Sequence, residues 1–248
     1  MTSDSRRQRA HEVRRLRDML RAAVQGCRYP DGQLPSEADL MASHHATRAT
    51  VREALALLRA EGLIERVQGI GTHVVVRPVD TALPEAHGVM TPGRESVFNR
   101  RMRPRVLDRS VVEAPATVAE RLAVPEGTPC LRLEYVALHE EEPIGLVTNY
   151  VLFPGAGRVR DTPFVSDWYA LLADAGVELS ESEFIFGCEP ADPLVAPALG
   201  VRVGALLIIS EQIIYDPHGR PFDLAFIHTR GERFRFVSRA WRTREEHS

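Results

Sequence analysis

The stretch LPSEADLMASHHATRATVREALALLRAEGLIERVQGIGTH, residues 34–73, decides the fold. Ser36 precedes a short amphipathic run with acids in its first turn, a pattern that predicts a capped helix. Thr47 starts a second helix in the same way. Two runs that predict strands, 63–66 and 72–76, then flank a glycine-rich turn. The order helix, turn, helix and β-hairpin predicts a winged helix-turn-helix fold.

The second of these helices has an apolar underside and a basic outer face. Residues at helical spacing predict a buried stripe of Val51, Ala54, Leu55 and Leu58. The outward positions are then Arg48, Ala49, Arg52, Glu53 and Ala56. In a recognition helix the first turn meets base edges and phosphates. An isolated helix of this kind would more simply be amphipathic with solvated arginines, but the agreement of caps, turn, arginine face and hairpin favours DNA binding.

This segment resembles the GntR family of bacterial transcription regulators. The resemblance rests on the motifs LPSE (34–37), TR (47–48), TVREAL (50–55), EGL (61–63) and QGIGT (68–72), together with Leu58. It implies that Arg48, Thr50 and Arg52 contact operator DNA and that 68–72 contact the minor groove or the backbone. The predicted DNA-binding residues are Ser36, Glu37, Thr47, Arg48, Thr50, Arg52, Gln68, Gly69, Gly71 and Thr72.

Three positions depart from the pattern of that family. Ala38 stands where the family often has Arg, and Ala49 where it often has a hydroxyl residue, so two possible DNA contacts are missing. His45 occupies a turn position usually held by Gly. Since His tolerates a left-handed backbone, we expect the turn to be kept. The departures bear on the operator sequence and not on DNA binding itself.

Charge is distributed unevenly along the 248 residues, whose formal net charge is −3. Residues 1–77 carry 13 Arg and 9 acidic residues, whereas residues 78–248 carry 18 Arg and 25 acidic residues. A basic head on an acidic body suits a DNA-reading domain attached to one that avoids DNA. We expect a DNA-binding domain at 1–76, a Pro- and Gly-containing hinge at 77–95, and a second domain at 96–248.

Several function classes lack support in the sequence. The chain has neither a membrane-length apolar run nor a signal-peptide pattern, so we expect it in the cytoplasm. Three separated cysteines, Cys27, Cys130 and Cys188, predict reduced thiols and not a zinc site or a disulfide. Adjacent His44 and His45 lack partners in ligand spacing, so we expect no metal and no cofactor. Catalytic motifs such as GxSxG, HExxH and the P-loop are absent.

The second domain reads as mixed α/β with a weak internal repeat. The segments 119–144 and 196–222 each run helix, tight turn, long strand, hairpin and strand. Two such units side by side predict one antiparallel sheet with helices on a face and a pocket between the halves. A chance similarity between two hairpins is the alternative. The last strand, 234–239, is expected to close the sheet, and the first helix of the chain is expected at 11–25.

This domain resembles the UTRA effector domain of the HutC branch of the GntR family. The matching motifs are AERL (119–122), PEGTP (125–129), LRL (131–133), EPI (142–144), YD (215–216), GRPF (219–222) and RGERFRF (230–236). The implied fold resembles chorismate lyase, without its activity being carried over. The fold class is therefore α+β, a winged helix-turn-helix followed by a mixed domain with an antiparallel sheet.

The resemblance also places an effector pocket. Family members that sense phosphorylated sugars tend to carry two arginines where this chain has Tyr135 and Ala137. A Glu common on the next strand is Val147 here, and Asp223 and Thr229 replace a Glu and a Tyr. Burying a phosphate without a cationic partner is costly, so we expect an uncharged or amphipathic effector. The predicted pocket consists of Tyr135, Ala137, Val147, Trp168, Asp223 and Thr229, although Tyr135 and Trp168 could equally be ordinary core.

Together these observations predict a ligand-responsive repressor that acts as a homodimer. Two chains would pair through the second domain and present two recognition helices to a palindromic operator. A small-molecule effector would shift the hinge at 77–95 and misplace the heads. One alternative is a DNA-tethered enzyme, for which Asp223 and His228 are the only conceivable dyad and face opposite sides of a strand. The other is an architectural DNA-binding protein, which a sealed or collapsed pocket would favour.

Overall fold

A computed structural model of the chain describes residues 3–26, 28–75, 79–82 and 102–237. The chain divides into two compact units, Met1–Pro78 and Val79–Ser248. The helices are α1 (Ser3–Gln25), α2 (Glu37–His44), α3 (Arg48–Ala60), α4 (Ala116–Arg121), α5 (Gly155–Asp161), α6 (Trp168–Asp174) and α7 (Val195–Leu199). The strands are β1 (Ile64–Val67), β2 (Gly71–Val74), β3 (Val79–Ala82), β4 (Met102–Glu113), β5 (Pro129–His139), β6 (Glu142–Leu152), β7 (Glu181–Pro190), β8 (Leu206–Tyr215), β9 (Pro221–Arg230) and β10 (Phe234–Val237).

The first unit is the predicted winged helix-turn-helix. The predicted stripe on α3 is confirmed, because α3 buries it in one apolar cluster with residues of α1 and with Leu34, Leu40, Leu63 and Ile64. Helix α1 begins at Ser3, eight residues before the predicted start. The polar stretch before residue 11 carries no apolar stripe, but it contains Arg, Gln and Ala, which are strong helix formers.

Local hydrogen bonds fix the two helix starts and the turn between them. Ser36 caps α2 in a capping box with Asp39, and Thr47 caps α3 through the backbone N–H of Thr50. His45 ends α2 in the left-handed conformation with φ of 50°, as predicted for this turn. These caps satisfy helix-end donors that would otherwise lack partners.

The wing is a two-stranded antiparallel hairpin with a third segment at its side. Strands β1 and β2 pair from Ile64–Val74 to Val67–Gly71. Gln33 forms a bridge to His73, and the amide of Leu34 donates to the carbonyl of Thr72 at 2.9 Å. The segment before α2 thus extends the wing.

The second unit contains one six-stranded antiparallel sheet in the order β4-β5-β6-β9-β8-β7. The hairpins β5–β6 and β8–β9 meet at the centre, where β6 pairs with β9. These hairpins belong to the two predicted repeats, so the repeats do lie side by side in one sheet. The α+β fold class is confirmed.

Helices cover both faces of this sheet, which corrects the prediction of helices on one face. The repeat helices α4 and α7 share a face, on which Leu122 and Leu199 are fully buried. Helices α5 and α6 pack on the other face and bury Val159, Leu171 and Leu172 against β5 and β6. The repeat pattern could predict only the first pair, because α5 and α6 lie between the repeats.

Strand β10 does not close the main sheet, which is a second correction. It pairs in parallel with β3, with Phe234 opposite Val79 and Val237 opposite Ala82. Residues 79–82 fall in the predicted hinge and yet form a strand of the second unit. The remainder of that hinge, 77–78 and 83–95, lies outside the described residues.

Candidate DNA-binding surface and effector cavity

The outer face of α3 presents the two predicted arginines. Arg48 and Arg52 are both exposed, while Val51 and Ala54 on the opposite side of the helix are fully buried. The Nε of Arg52 donates to Oε2 of Glu37 at 2.9 Å. That hydrogen bond uses only Nε, so the terminal Nη groups of Arg52 remain available as donors to other partners.

The acid on this face is also paired. Glu53 accepts a hydrogen bond from Nη2 of Arg9 at 2.8 Å, which ties α1 to α3. Arg48, in contrast, makes no hydrogen bond or ion pair with the residues that the structure describes. The outer face of α3 therefore offers two guanidinium groups, and the nearby acids Glu53 and Glu37 are each paired with an arginine.

Thr50, which the resemblance places among the DNA contacts, is buried in the unbound protein. It is only 2% exposed, and its hydroxyl lies 2.9 Å from that of Thr47. The Thr47 hydroxyl also accepts from the Thr50 amide at 3.2 Å. Thr50 is therefore buried and supports the helix cap from inside.

The tip of the wing is exposed and shaped by glycine. Gln68 and Gly69 are exposed, and Ile70 is 61% exposed. Gly71, with φ of 135°, adopts a backbone that favours glycine, and a Cβ there would lie 3.2 Å from Nε2 of Gln33. The same Nε2 donates to the carbonyl of Ile70 at 3.0 Å. Gln33 thus supports the wing, and the sequence pattern did not predict this contact. Thr72, at the base of the wing, is half-buried.

The structure brings five of the six predicted pocket residues to one cavity of about 60 Å³. The cavity lies on the α5–α6 face of the sheet. Side chains from β10 and α6 cover it, among them Phe234, Phe236 and Tyr169. The five predicted residues that line it are Tyr135, Ala137, Val147, Trp168 and Thr229.

Asp223, the sixth predicted residue, is fully buried next to this cavity. Its carboxylate accepts hydrogen bonds from Nε1 of Trp168 at 2.9 Å and from Nδ2 of Asn149 at 3.1 Å. Burial raises the pKa of Asp223 to about 7, although the two donors oppose that rise. Burial, reinforced by the Asp223 charge, also raises the pKa of Tyr135 far above its ordinary value.

Asn149 is a cavity residue that the resemblance did not supply. It is 1% exposed and sits opposite Ala225 on β9. On β6 the residues that face inward alternate along the strand, and Asn149 lies between Val147 and Val151. A polar residue at such a position could have been predicted from the sequence to line a site. Among the described residues that line the cavity, none is Arg, Lys or His.

A larger cleft, of about 730 Å³, lies near the end of β6 and the β8–β9 turn. Its two arginines are engaged within the protein. Nη1 of Arg158 donates to the carbonyl of Gly176 at 2.6 Å, and Nε of Arg220 donates to Asp216 at 3.0 Å. None of the six predicted pocket residues lines this cleft.

The described residues contain neither a disulfide nor a metal-ligand cluster. Buried Cys130 and exposed Cys188 are both free thiols, and Cys27 lies outside the described residues. In the part of the chain that the structure describes, no cluster of three or more His, Cys, Asp or Glu could hold a metal ion. No helix there has the length and apolarity needed to cross a membrane.

A winged helix-turn-helix joined to a separate α/β unit with an internal cavity defines a DNA-binding transcription regulator. The family model described as bacterial regulatory proteins of the gntR family matches residues 13–74, and the UTRA domain model matches residues 99–235. The chain belongs to the GntR family of bacterial regulatory proteins, in the HutC branch that carries a UTRA domain.

Similar proteins support the same assignment. The HTH-type transcriptional regulator Rv0792c of Mycobacterium tuberculosis is 32% identical over 89% of this chain and 82% of its own. The transcriptional repressor NagR of Bacillus subtilis is 27% identical over 84% of this chain and 85% of its own. The crystal structure of PhnF from Mycobacterium smegmatis shares the fold, with a TM-score of 0.61 at 22% identity over 92% of this chain and all of that one.

Proposed function

We propose that this regulator is a repressor that leaves a palindromic operator when a small-molecule effector binds its second unit. Two copies of the chain would pair through their UTRA domains and present two α3 helices to the DNA. The observation that carries the proposal is the pair of exposed guanidinium groups on the capped helix α3. Relatives support it, since NagR is named a transcriptional repressor.

The effector follows from the chemistry of the Tyr135 cavity. Its walls are mostly apolar and aromatic with a few amide and hydroxyl groups, and none of the described lining residues is basic. Asp223 lies behind them and adds negative charge when it is ionised. A buried phosphate would find no cation there and would be repelled by the carboxylate. The proposed effector is therefore uncharged or amphipathic, and it is held beside Tyr135, Trp168 and Asp223.

Volume limits what the cavity accepts in this state. About 60 Å³ is well below the roughly 300–1,000 Å³ of an ordinary ligand pocket. A ligand larger than a small ring must therefore displace the aromatic cover, which includes Phe234 and Phe236 of β10. Binding of such a larger ligand would therefore move β10.

Movement of β10 would reach the hinge through β3. The two strands are hydrogen-bonded in parallel, and β3 begins directly after the boundary of the DNA-binding unit at Pro78. An effector that requires a displaced β10 would thus favour a different placement of residues 79–82. The response depends on unequal affinity of the effector for the two arrangements.

A footprint upstream of the regulator's own gene, repeated with candidate effectors, tests this function. The expected result is protection of two symmetric half-sites that an uncharged ligand removes. A thermal-shift screen, which measures stabilisation of the protein by each candidate ligand, tests the proposed chemical class of the effector. Strong stabilisation by a sugar phosphate, with apolar metabolites inert, would contradict the proposed effector and leave the repressor role intact.

The small cavity volume favours one second candidate, a ligand-independent architectural DNA-binding protein. In that case the operator complex would not respond to any ligand that the cavity can hold. The enzyme alternative has weaker support. Asp223 is buried on the cavity face, whereas His228 lies 3.4 Å from Glu189, and the two cannot act on one substrate atom.

A further inference from the structure

The amide of Asn149 is held in one orientation at the cavity wall. Its Nδ2 lies 3.1 Å from both oxygens of Asp223, and the Trp168 indole N–H donates to the same carboxylate at 2.9 Å. Above the pKa of Asp223, about 7, the carboxylate is ionised and can only accept, so the amide then points its nitrogen toward Asp223. Its oxygen is consequently turned away from Asp223.

That oxygen is a buried acceptor without a donor. Oδ1 of Asn149 is fully buried and accepts no hydrogen bond from the described residues, although Asn149 lines the cavity. Buried polar groups in native proteins almost always have a partner, because an unmade hydrogen bond is costly. The oxygen has no accessible surface in this state, so a ligand that carries a donor reaches it once the neighbouring side chains of the cavity move aside.

The side-chain amide of Gln212, on the same cavity wall, already has a hydrogen-bond partner. Nε2 of Gln212 donates to the hydroxyl of Tyr169 at 2.6 Å, and burial raises the pKa of that tyrosine to about 12. Gln212 and Asn149 therefore provide a matched pair of amides, one engaged within the protein and one with a free acceptor.

We propose that the cavity recognises a small, non-anionic ring compound through an N–H group that donates to Oδ1 of Asn149. This inference rests on the proposed effector function of the cavity and names its ligand class. The aromatic rings of Tyr135 and Trp168 pack against the ring of the ligand, and its N–H points to β6. Anions are excluded by Asp223 and by the apolar walls.

Pyrrole and furan test the proposal, because they share a five-membered ring that suits the small cavity and differ in the N–H. Binding is followed in the full chain at pH 8 by the NMR signal of the Trp168 indole N–H, at a pH where Asp223 is ionised. One N–H···O bond in a protein is worth a few-fold in affinity, so pyrrole should bind about 3- to 10-fold more tightly than furan. Pyrrole-2-carboxylate should not bind.

Two variants locate the acceptor. Asn149→Leu should abolish the preference for pyrrole over furan, whereas Gln212→Leu should keep it. If Asn149→Leu does not fold, the comparison in the unaltered chain still decides whether an N–H is recognised, and Gln212→Leu still excludes the other amide.

Three results would overturn the inference. Equal affinity for pyrrole and furan would mean that no N–H is recognised. Loss of the preference in Gln212→Leu would assign the acceptor to β8, and tighter binding of pyrrole-2-carboxylate would contradict the exclusion of anions. Absence of any binding would also reject it, while the effector function would still be decided by the footprint with other candidate ligands. Operator binding, measured separately, would in that case still support the DNA-binding role.

Discussion

Glu37 in the first turn of α2 and Arg52 in α3 are joined by a hydrogen bond of 2.9 Å between Oε2 and Nε. The contact links the two helices of the DNA-reading motif on the exposed side. Arg52 remains 62% exposed, so the pair contributes little to folding stability. Its consequence is geometric, since a guanidinium anchored at Nε presents its Nη edge in a fixed direction.

Arg48→Ala and Arg52→Ala should each weaken operator binding. The expected loss is about 1–3 kcal/mol for an arginine that reads a base bidentately, because both donors of the fork are lost. A gel shift with the operator measures it. Arg220→Ala removes an arginine from the second unit and should leave DNA affinity unchanged. Unchanged affinity in both α3 variants would contradict the assignment of this face.

Glu37→Gln should change operator selectivity more than stability. The variant keeps the shape of the side chain but loosens its hold on Arg52, so discrimination between operator variants should fall. Unfolding stability should change by less than about 1 kcal/mol, as for exposed ion pairs. In the Arg52→Ala background the Glu37→Gln change should have no further effect on DNA binding. Additive effects of the two changes would show that Glu37 acts independently.

Thr50→Val should lower stability without removing a DNA contact. The variant keeps the volume of the side chain and loses the hydroxyl next to Thr47, so the free energy of unfolding should fall by about 1 kcal/mol. Urea denaturation measures this change, and a gel shift at a temperature where the variant is folded should show nearly native affinity. A loss of affinity as large as that of Arg48→Ala would mean that Thr50 meets DNA after all.

Asp223 should make the second unit less stable as the pH rises. Its pKa in the folded state is about 7, above the value of about 4 of an unfolded chain. Between these values only the folded state keeps the proton. Stability is therefore fully present below about pH 4 and decreases until the pH passes about 7, by on the order of a few kcal/mol.

Urea denaturation at pH 5 and pH 8 measures this slope. Asp223→Asn should flatten it and should be more stable than the unaltered chain at pH 8. Asp216→Asn is the control, because backbone hydrogen bonds lower the pKa of Asp216, and its loss should leave the slope in place. A slope that persists in Asp223→Asn would assign it to another group.

Local signals made the DNA-binding unit predictable. The stripe on α3, the caps at Ser36 and Thr47 and the left-handed His45 all depend on residues within a few positions of one another. The start of α1 was missed because helix propensity, and not an apolar stripe, determines its first turns. Burial of Thr50 depends on the fit of α3 into the core, which a resemblance between sequences does not report.

Non-local pairing limited what could be predicted in the second unit. The parallel contact of β10 with β3 joins residues more than 150 positions apart, and strand propensity alone suggested a continuation of the main sheet. Helix α5 begins Gly155-Ala156-Gly157, a composition typical of a loop. The pocket residues were placed through resemblance, while Asn149 is recognised only when strand alternation and the neighbouring Asp223 are considered together.

The parallel pairing of β3 with β10 places the first and last described strands of the UTRA unit next to each other, running in the same direction. A module with adjacent entry and exit strands can be joined to a different head without a new connection across its body. We expect chimaeras fused at Pro78 to retain ligand control when β10 is kept and to lose it when β10 is cut away. The same arrangement would let gene recombination exchange the DNA-binding domain, and thus DNA specificity, while the effector specificity of the second unit stays unchanged.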